Sequence, residues 1–202
     1  MSDHDHYFTA SPASADERRP LRVHLAGLPV DVEVAGGVFS PGGLDKGTAV
    51  LFDEVPAPPP SGTFVDLGCG WGPVALTLGL LAPGADVWAV DVNERALDLT
   101  RRNAAALGLD RVRAVTAEEV PADLRVDLLW SNPPIRVGKA VLHALLRAWL
   151  PRLAPGGEAF LVVQRNLGSD SLQRWVTTEL ALPCERHASS RGFRVLRVTG
   201  PG

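Results

Sequence analysis

The chain has 202 residues, 46% of them apolar and 21% charged, with a formal net charge of -3. That profile fits one globular domain with a sizeable core and excludes a disordered or fibrous chain. No run approaches the eighteen or so apolar residues that a membrane span needs, and the acidic start MSDHDHYF lacks the apolar centre of a secretion signal.

Two cysteines, Cys69 and Cys184, make neither a disulfide framework nor a CxxC metal pattern, so a cytoplasmic protein with reduced thiols and no membrane association is expected. Residues 1–20 are polar and are expected to form a flexible lead-in. His4 and His6 lie there, but two histidines without further ligands do not make a metal site, and no metal is expected. From Leu21 the pattern changes. Leu21, Val23 and Leu25 alternate with polar residues, AGLP makes a turn, and Val30, Val32 and Val34 alternate again, which predicts a β-hairpin. The loop GGVFSPGGLDKGT leads into the short apolar stretch AVLF, and PAPPPSG then punctuates the chain. Residues 21–60 therefore read as a hairpin-and-loop extension, and residues 61–202 as the core.

In that core TFVDL predicts a strand, Gly72 to Leu81 an apolar helix and DVWAVDV a second strand. Asn93 can cap a helix through RALDLTRRNAAAL, which Gly108 should stop. VRAVTA and VDLLWS follow as strands, Val137 to Leu150 as a helix, EAFLVVQ as a fifth strand and SLQRWVTTEL as a helix capped by Ser169. Two closing strands flank HASSRGF. Short strands alternating with helices imply an α/β, Rossmann-like fold: a seven-stranded, mostly parallel sheet with an antiparallel last strand, helices on both faces and the N-terminal hairpin added.

The segment VDLGCGWG is a strand ending in an acid, then a glycine turn that opens a helix, which is where a nucleotide-like ligand lies in an open α/β sheet. Gly68, Gly70 and Gly72 allow close approach of the backbone to that ligand. Asp66 decides between ligands. A carboxylate there repels the pyrophosphate of a dinucleotide, whereas S-adenosylmethionine presents an ammonium and a sulfonium. Asp91, with Val92 after it, ends the second strand, where a carboxylate accepts hydrogen bonds from ribose hydroxyls. Glu118 follows the third strand, either bordering the adenine or standing as a surface acid, and Cys69 is a small apolar filler of the turn.

The fourth strand ends in SNPPIRVGK. Asn-Pro-Pro breaks structure anywhere, but here it falls one strand from the glycine turn, on the same sheet edge. The side-chain carbonyl of Asn132 and the main-chain carbonyl of Pro133 can both accept from one amino group, with Pro134 rigidifying the pair. A base amine or an amide nitrogen is a poor nucleophile because its lone pair is delocalised. Two acceptors on its hydrogens turn that lone pair toward a methyl donor without a strong general base.

The order DLGCGWG, DVNERAL, SNPPIRVGK resembles class I S-adenosylmethionine-dependent methyltransferases that act on nitrogen. HYF near the start, GVFSPGGLDKGTAVL and LAPGGEAFLVVQRNLGS narrow the likeness to the RsmC-like methyltransferases, over roughly residues 6 to 200. The resemblance implies methylation of guanine N2 in 16S ribosomal RNA, with ribosomal RNA or the small ribosomal subunit as partner and residues 61–202 as the catalytic core. Adenine N6, a glutamine amide, a small metabolite or a non-catalytic assembly role are the competing readings. Two departures stand out: Ile135 replaces an aromatic that often stacks on an extruded base, and the chain is about as long as the catalytic half of the two-domain members.

Five further residues border this loop or face it. Phe39 is either a lid or a core anchor, and Arg136 follows the loop. Lys139, His143 and Arg147 recur at helical spacing, as a solvated face or as contacts to RNA phosphates. Cys184, after a proline, is structural. Residues 136–202 hold 10 basic and 4 acidic side chains against 4 and 9 in residues 1–60 and 6 and 10 in residues 61–135, so the near-neutral total hides a basic last third.

Overall fold

The computed structural model describes residues 17–202; His4, His6 and the HYF motif lie outside them. Strands β1 (Arg19–Leu25) and β2 (Leu28–Val34) form the hairpin, in register from Arg19 opposite Val34 to Leu25 opposite Leu28. It begins inside the segment expected to be a lead-in. Ala26 and Gly27, at φ 51° and 76°, make the two-residue turn whose twist suits such a hairpin.

The stretch read as a loop and a short apolar run is a helix, α1 (Lys46–Glu54). Asp45 caps it, accepting from the N–H groups of Gly47 at 2.7 Å and Thr48 at 3.3 Å. The apolar periodicity of AVLF spans little more than one turn and a glycine interrupts the first, so the cap and the burial of Val50 and Leu51 against the sheet decide the helix.

The core follows as β3 (Ser61–Leu67), α2 (Pro73–Leu81), β4 (Gly84–Val90), α3 (Glu94–Ala106), β5 (Val112–Val115), β6 (Val126–Ser131), α4 (Lys139–Trp149), β7 (Leu153–Gln164), α5 (Ser169–Glu179), β8 (Cys184–Ser190) and β9 (Phe193–Thr199). The seven strands are ordered β5-β4-β3-β6-β7-β9-β8, and only β9 runs against its neighbours. Chain direction across the sheet reverses between β3 and β6, so their carboxyl ends flank the crevice where ligands of such sheets bind.

Alternation along the central strands feeds two cores. Val65, Leu67 and Leu129 pack with Leu142, Leu146 and Trp149 of α4 and Val176 of α5. Phe64, Leu128 and Trp130 pack on the other face with Leu51 of α1, Val74 of α2 and Leu97 of α3. The hairpin is not a separate unit, because Val32 and Val34 share a third cluster with Trp71, Leu76 and Leu99. A buried amide locks it down: Asn103 accepts from the Glu33 N–H at 2.7 Å and donates to the carbonyls of Glu33 and Trp71.

Several local details differ from the sequence expectations. The helix expected from Val137 starts at Lys139, because Gly138 at φ 107° separates it from a short 3-10 turn over Ile135–Val137. β7 reaches back to Leu153 and includes both glycines before Glu158. A Cβ on Gly157 would stand 2.6 Å from the Val126 carbonyl, so the glycine permits that close strand approach. Ser169 does not cap α5; Gly168, at φ 95°, precedes the helix, and the Ser169 hydroxyl instead accepts from Arg194 at 3.2 Å. Among the described residues no helix is long and apolar enough to cross a membrane.

Candidate active site

Gly68, Gly70 and Gly72 all have positive φ, at 81°, 57° and 96°, as a turn from β3 straight into α2 demands. They do different work. A Cβ on Gly68 would meet nothing within 4 Å, so this glycine faces open space, whereas one on Gly72 would stand 3.0 Å from Thr100 Oγ1. Gly72 is thus a packing position between α2 and α3, and the Thr100 hydroxyl ties the two by donating to the Gly70 carbonyl at 3.0 Å. Cys69 is buried against the same hydroxyl; burial foremost, then Asp91 and Asp66, push its thiol well up, so it stays protonated.

Asp66 points at the start of α2 and accepts from the Ala75 N–H at 2.9 Å. Burial pushes its carboxyl up to about 8, against the pull of that N–H. Asp91 accepts from the Gly70 N–H at 3.0 Å and the Asn93 N–H at 2.9 Å, so one carboxylate joins the glycine turn to the start of α3. Burial raises its pKa too, opposed by the N–H groups around it. Asn93 caps α3 through Oδ1, and its amide nitrogen holds the Gly37 carbonyl at 2.8 Å. That clamp sets Phe39 over the glycine turn, with Cβ 3.8 Å from where a Gly70 side chain would begin.

These groups open on one cavity of about 580 Å³, whose wall includes Phe39, Gly68, Gly70, Asp91 and Asn132. A small adjoining space of about 20 Å³ is lined by Asp66, Cys69, Thr48 and Asn132. The Asn132 amide has a fixed orientation: Nδ2 donates to Asp45 Oδ2 at 2.8 Å and to Thr48 Oγ1 at 3.1 Å. A carboxylate only accepts, so the NH₂ must face Asp45, and Oδ1 is left as the acceptor. Pro134, at φ -75° and ψ 72°, is the centre of an inverse γ-turn in which the Ile135 N–H donates to the Pro133 carbonyl at 2.8 Å. One lone pair of that carbonyl is thereby used internally and its direction is set; one remains.

The structure brings Phe39, Gly68, Gly70, Asp91, Asn132, Pro133, Pro134 and Ile135 together in this cavity, with Asp66 and Cys69 in the space beside it. It does not bring in the others. Glu118 is exposed on the turn after β5, where its neighbour Glu119 closes a capping box by accepting from Thr116 N–H at 2.7 Å. Val92 is 51% exposed next to Asp91. Lys139 and Arg147 lie on α4 outside the cavity, and the Arg136 side chain is outside the described set. Cys184 sits on β8 against the α4–α5 core, its thiol pushed up to about 12 by burial and Glu185.

Asp45, Lys46 and Gln164 lie inside the motifs that carry the resemblance but are not singled out by sequence as site residues, nor are Arg191 and Phe193, yet all five line the cavity. An Asp immediately before a helix is a readable signal for Asp45 once the helix is recognised. For Gln164, the hints are its place within LAPGGEAFLVVQRNLGS and at the carboxyl end of the strand after the NPP loop.

The family model for the methyltransferase small domain matches residues 29–197. The chain is 30% identical over 170 residues to YbxB of Bacillus subtilis, covering 83% of this chain and 85% of that protein. It is 34% identical over 202 residues to the ribosomal RNA small subunit methyltransferase C of Pseudomonas entomophila, covering 96% of this chain and 58% of that one, so it spans little more than half of that relative. The fold superposes with a TM-score of 0.77 and 23% identity on a T. thermophilus 16S rRNA N2 G1207 methyltransferase (RsmC) in complex with AdoMet and guanosine, over 94% of this chain and 52% of that one. The chain belongs to the methyltransferase small-domain family.

Proposed function

We propose that this protein transfers a methyl group from S-adenosylmethionine to the exocyclic N2 amine of a guanine in small-subunit ribosomal RNA. The observation that carries the reading is the Asn132 amide, locked with its carbonyl as the free acceptor in the same cavity as the glycine turn and Asp91. The relatives named above support the RNA as substrate.

The residues present fit that cofactor. Asp66 itself occupies the start of α2, where a pyrophosphate would otherwise seat. Gly68 leaves the space open that a Cβ would fill, and Asp91 has one backbone N–H on each oxygen and lone pairs remaining for a ribose diol. When bound, the cofactor supplies a methyl group on a sulfonium: the C–S bond breaks as the N–C bond forms, leaving a neutral thioether. Asn132 Oδ1 and the Pro133 carbonyl take the two hydrogens of the amine, rotating its lone pair out of conjugation and toward the methyl carbon. The nitrogen becomes cationic as it forms the new bond and releases one proton to water at the cavity mouth. No strong base is required, because the leaving group is already positively charged.

The experiment is methylation of 16S RNA and of 30S particles by the purified protein, followed by nucleoside mass analysis. N2-methylguanosine is expected. Methyladenosine, or label in ribosomal protein alone, would refute the assignment, and unchanged S-adenosylmethionine binding by Asp91→Ala would refute the cofactor site.

A further inference from the structure

Past Pro134 and Ile135 the cavity continues to a second end, built by the carboxyl edge of β7 and the turn between β8 and β9. Gln164, the last residue of β7, pairs in register with Phe193, the first of β9, and the Arg165 N–H donates to the Gly192 carbonyl at 2.9 Å. Opposed residues of an antiparallel pair share a face, with Cβ atoms about 5 Å apart. An amide and an aromatic ring therefore stand side by side in the wall. The ring packs against the cluster containing Phe160 and Val195, while the Gln164 amide makes no hydrogen bond to any described residue.

The turn itself is Arg191-Gly192, at φ 48° and 83°. Asn-Gly is the favoured pair for such a turn, and arginine in the first place sets a guanidinium at the cavity. Its partner is Asp53, at 2.9 Å, with both side chains more than half exposed. An exposed pair of this kind holds weakly and can be exchanged for a phosphate. Lys46, exposed at the start of α1, is a second cation on the same cavity. A ring, an unsatisfied amide and cations for a phosphate are the recognition set for one unstacked nucleotide.

We propose that Phe193 stacks on the methyl-accepting base, the part Ile135 cannot play, and that Gln164 identifies that base as guanine. Nε2 donates to O6 and Oε1 accepts from N1–H while the N2 amine reaches Asn132. Adenine, with its N6 amine at Asn132, offers only the N1 acceptor on the neighbouring edge and leaves Oε1 unpaired. The inference rests on the methyl-transfer reading above.

Binding and turnover separate the two. Calorimetry with GMP and with 2-aminopurine riboside monophosphate, which lacks both O6 and N1–H, is run with S-adenosylhomocysteine present. The wild type should prefer GMP by about 10-fold or more, and Gln164→Ala should bring the two ligands level. Phe193→Leu should weaken both by about 10- to 100-fold at unchanged S-adenosylhomocysteine affinity, and Phe193→Tyr should restore them. Equal binding of the two ligands by the wild type, a preference that survives Gln164→Ala, or an inert Phe193→Leu would overturn the proposal. If GMP binds with the expected pattern but no guanine is methylated, the methyl-transfer reading falls and the guanine pocket stands. If guanine is methylated and both variants keep the wild-type KM, the pocket falls instead.

Discussion

The Asp45 carboxylate accepts from the Asn132 amide at 2.8 Å and, with the same oxygen, from the Gly47 N–H that begins α1. One side chain thus caps a helix and orients the amide proposed to hold the nucleophile. Removing it frees the Asn132 amide to rotate. Asp45→Ala is expected to lower kcat by about 10- to 100-fold, since small displacements of a positioned group cost that much. It should leave S-adenosylmethionine affinity nearly unchanged, at a stability cost of about 1 kcal/mol for the lost cap. Asp45→Asn retains a capping carbonyl and should recover much of the rate. Steady-state kinetics beside cofactor titration checks this: a parallel loss of cofactor binding would mean that Asp45 supports the whole cavity and not Asn132 alone.

Gly47 makes the same link testable from the backbone. A Cβ there would lie 2.9 Å from Asp45 Oδ2 and 3.2 Å from both amide atoms of Asn132. The carboxylate is held by three donors and cannot swing away freely. Gly47→Ala is therefore expected to reduce kcat by about 10-fold or more while the folded protein still binds S-adenosylmethionine. Wild-type turnover by this variant would show that the Asp45–Asn132 contact is not needed.

The alternation of strands and helices, the glycine turn and the NPP loop are legible because each has a local signature: short apolar runs, closely spaced glycines and a proline break at a strand end. Asp45, Gln164 and Phe193 carry no such mark. Their place in the cavity arises from long-range pairing, of α1 onto β7 and β9 and of Gln164 opposite Phe193, which no local pattern encodes. Glu118 shows another limit of local pattern: an acid after the third strand reads equally as a cofactor contact or a surface acid, and the structure leaves it exposed beside the Glu119 cap.

Asp66 links the site to pH. Its folded-state carboxyl is pushed up to about 8, chiefly by burial, from an ordinary value of 3.8. The folded state thus binds this proton more tightly than the unfolded one, so the contribution of Asp66 to stability is fully present below the unfolded value and is lost as pH rises toward the folded one. Asp66→Asn removes the ionisation and keeps an oxygen for the Ala75 N–H. The variant's advantage in melting temperature should widen from pH 5 to pH 8.5, at about 2–4 °C per kcal/mol for a chain of this size. Asp91, raised in the same direction, leaves part of the slope in the variant. Thermal melts across that range decide it. A constant offset would mean that Asp66 is ionised throughout.

The basic last third is less uniform than its composition. Arg186 and Arg194 pair with Asp170 and Arg197 with Glu158 and Glu185, so these three strand arginines are largely neutralised by neighbours, while the exposed Arg191–Asp53 pair on the turn holds only weakly. On α4, Lys139 has no acidic partner among the described residues, and Arg147 lies 5.3 Å above the Trp175 ring, on which His143 also stacks. Burial, then Lys139 and Arg147, hold the His143 pKa down, so it adds no charge near pH 7. On the proposed reading, the cations left to meet RNA phosphates are therefore Lys139 and Arg147 on α4, apart from Arg191 in the cavity itself. Lys139→Ala and Arg147→Ala should each weaken RNA binding and reduce the slope of log K against log salt by about 1. Arg197→Ala, which removes a charge already matched by two carboxylates, should leave that slope unchanged. Filter binding between 50 and 200 mM salt separates the two surfaces, and equal slopes in all three variants would move the RNA contact away from α4.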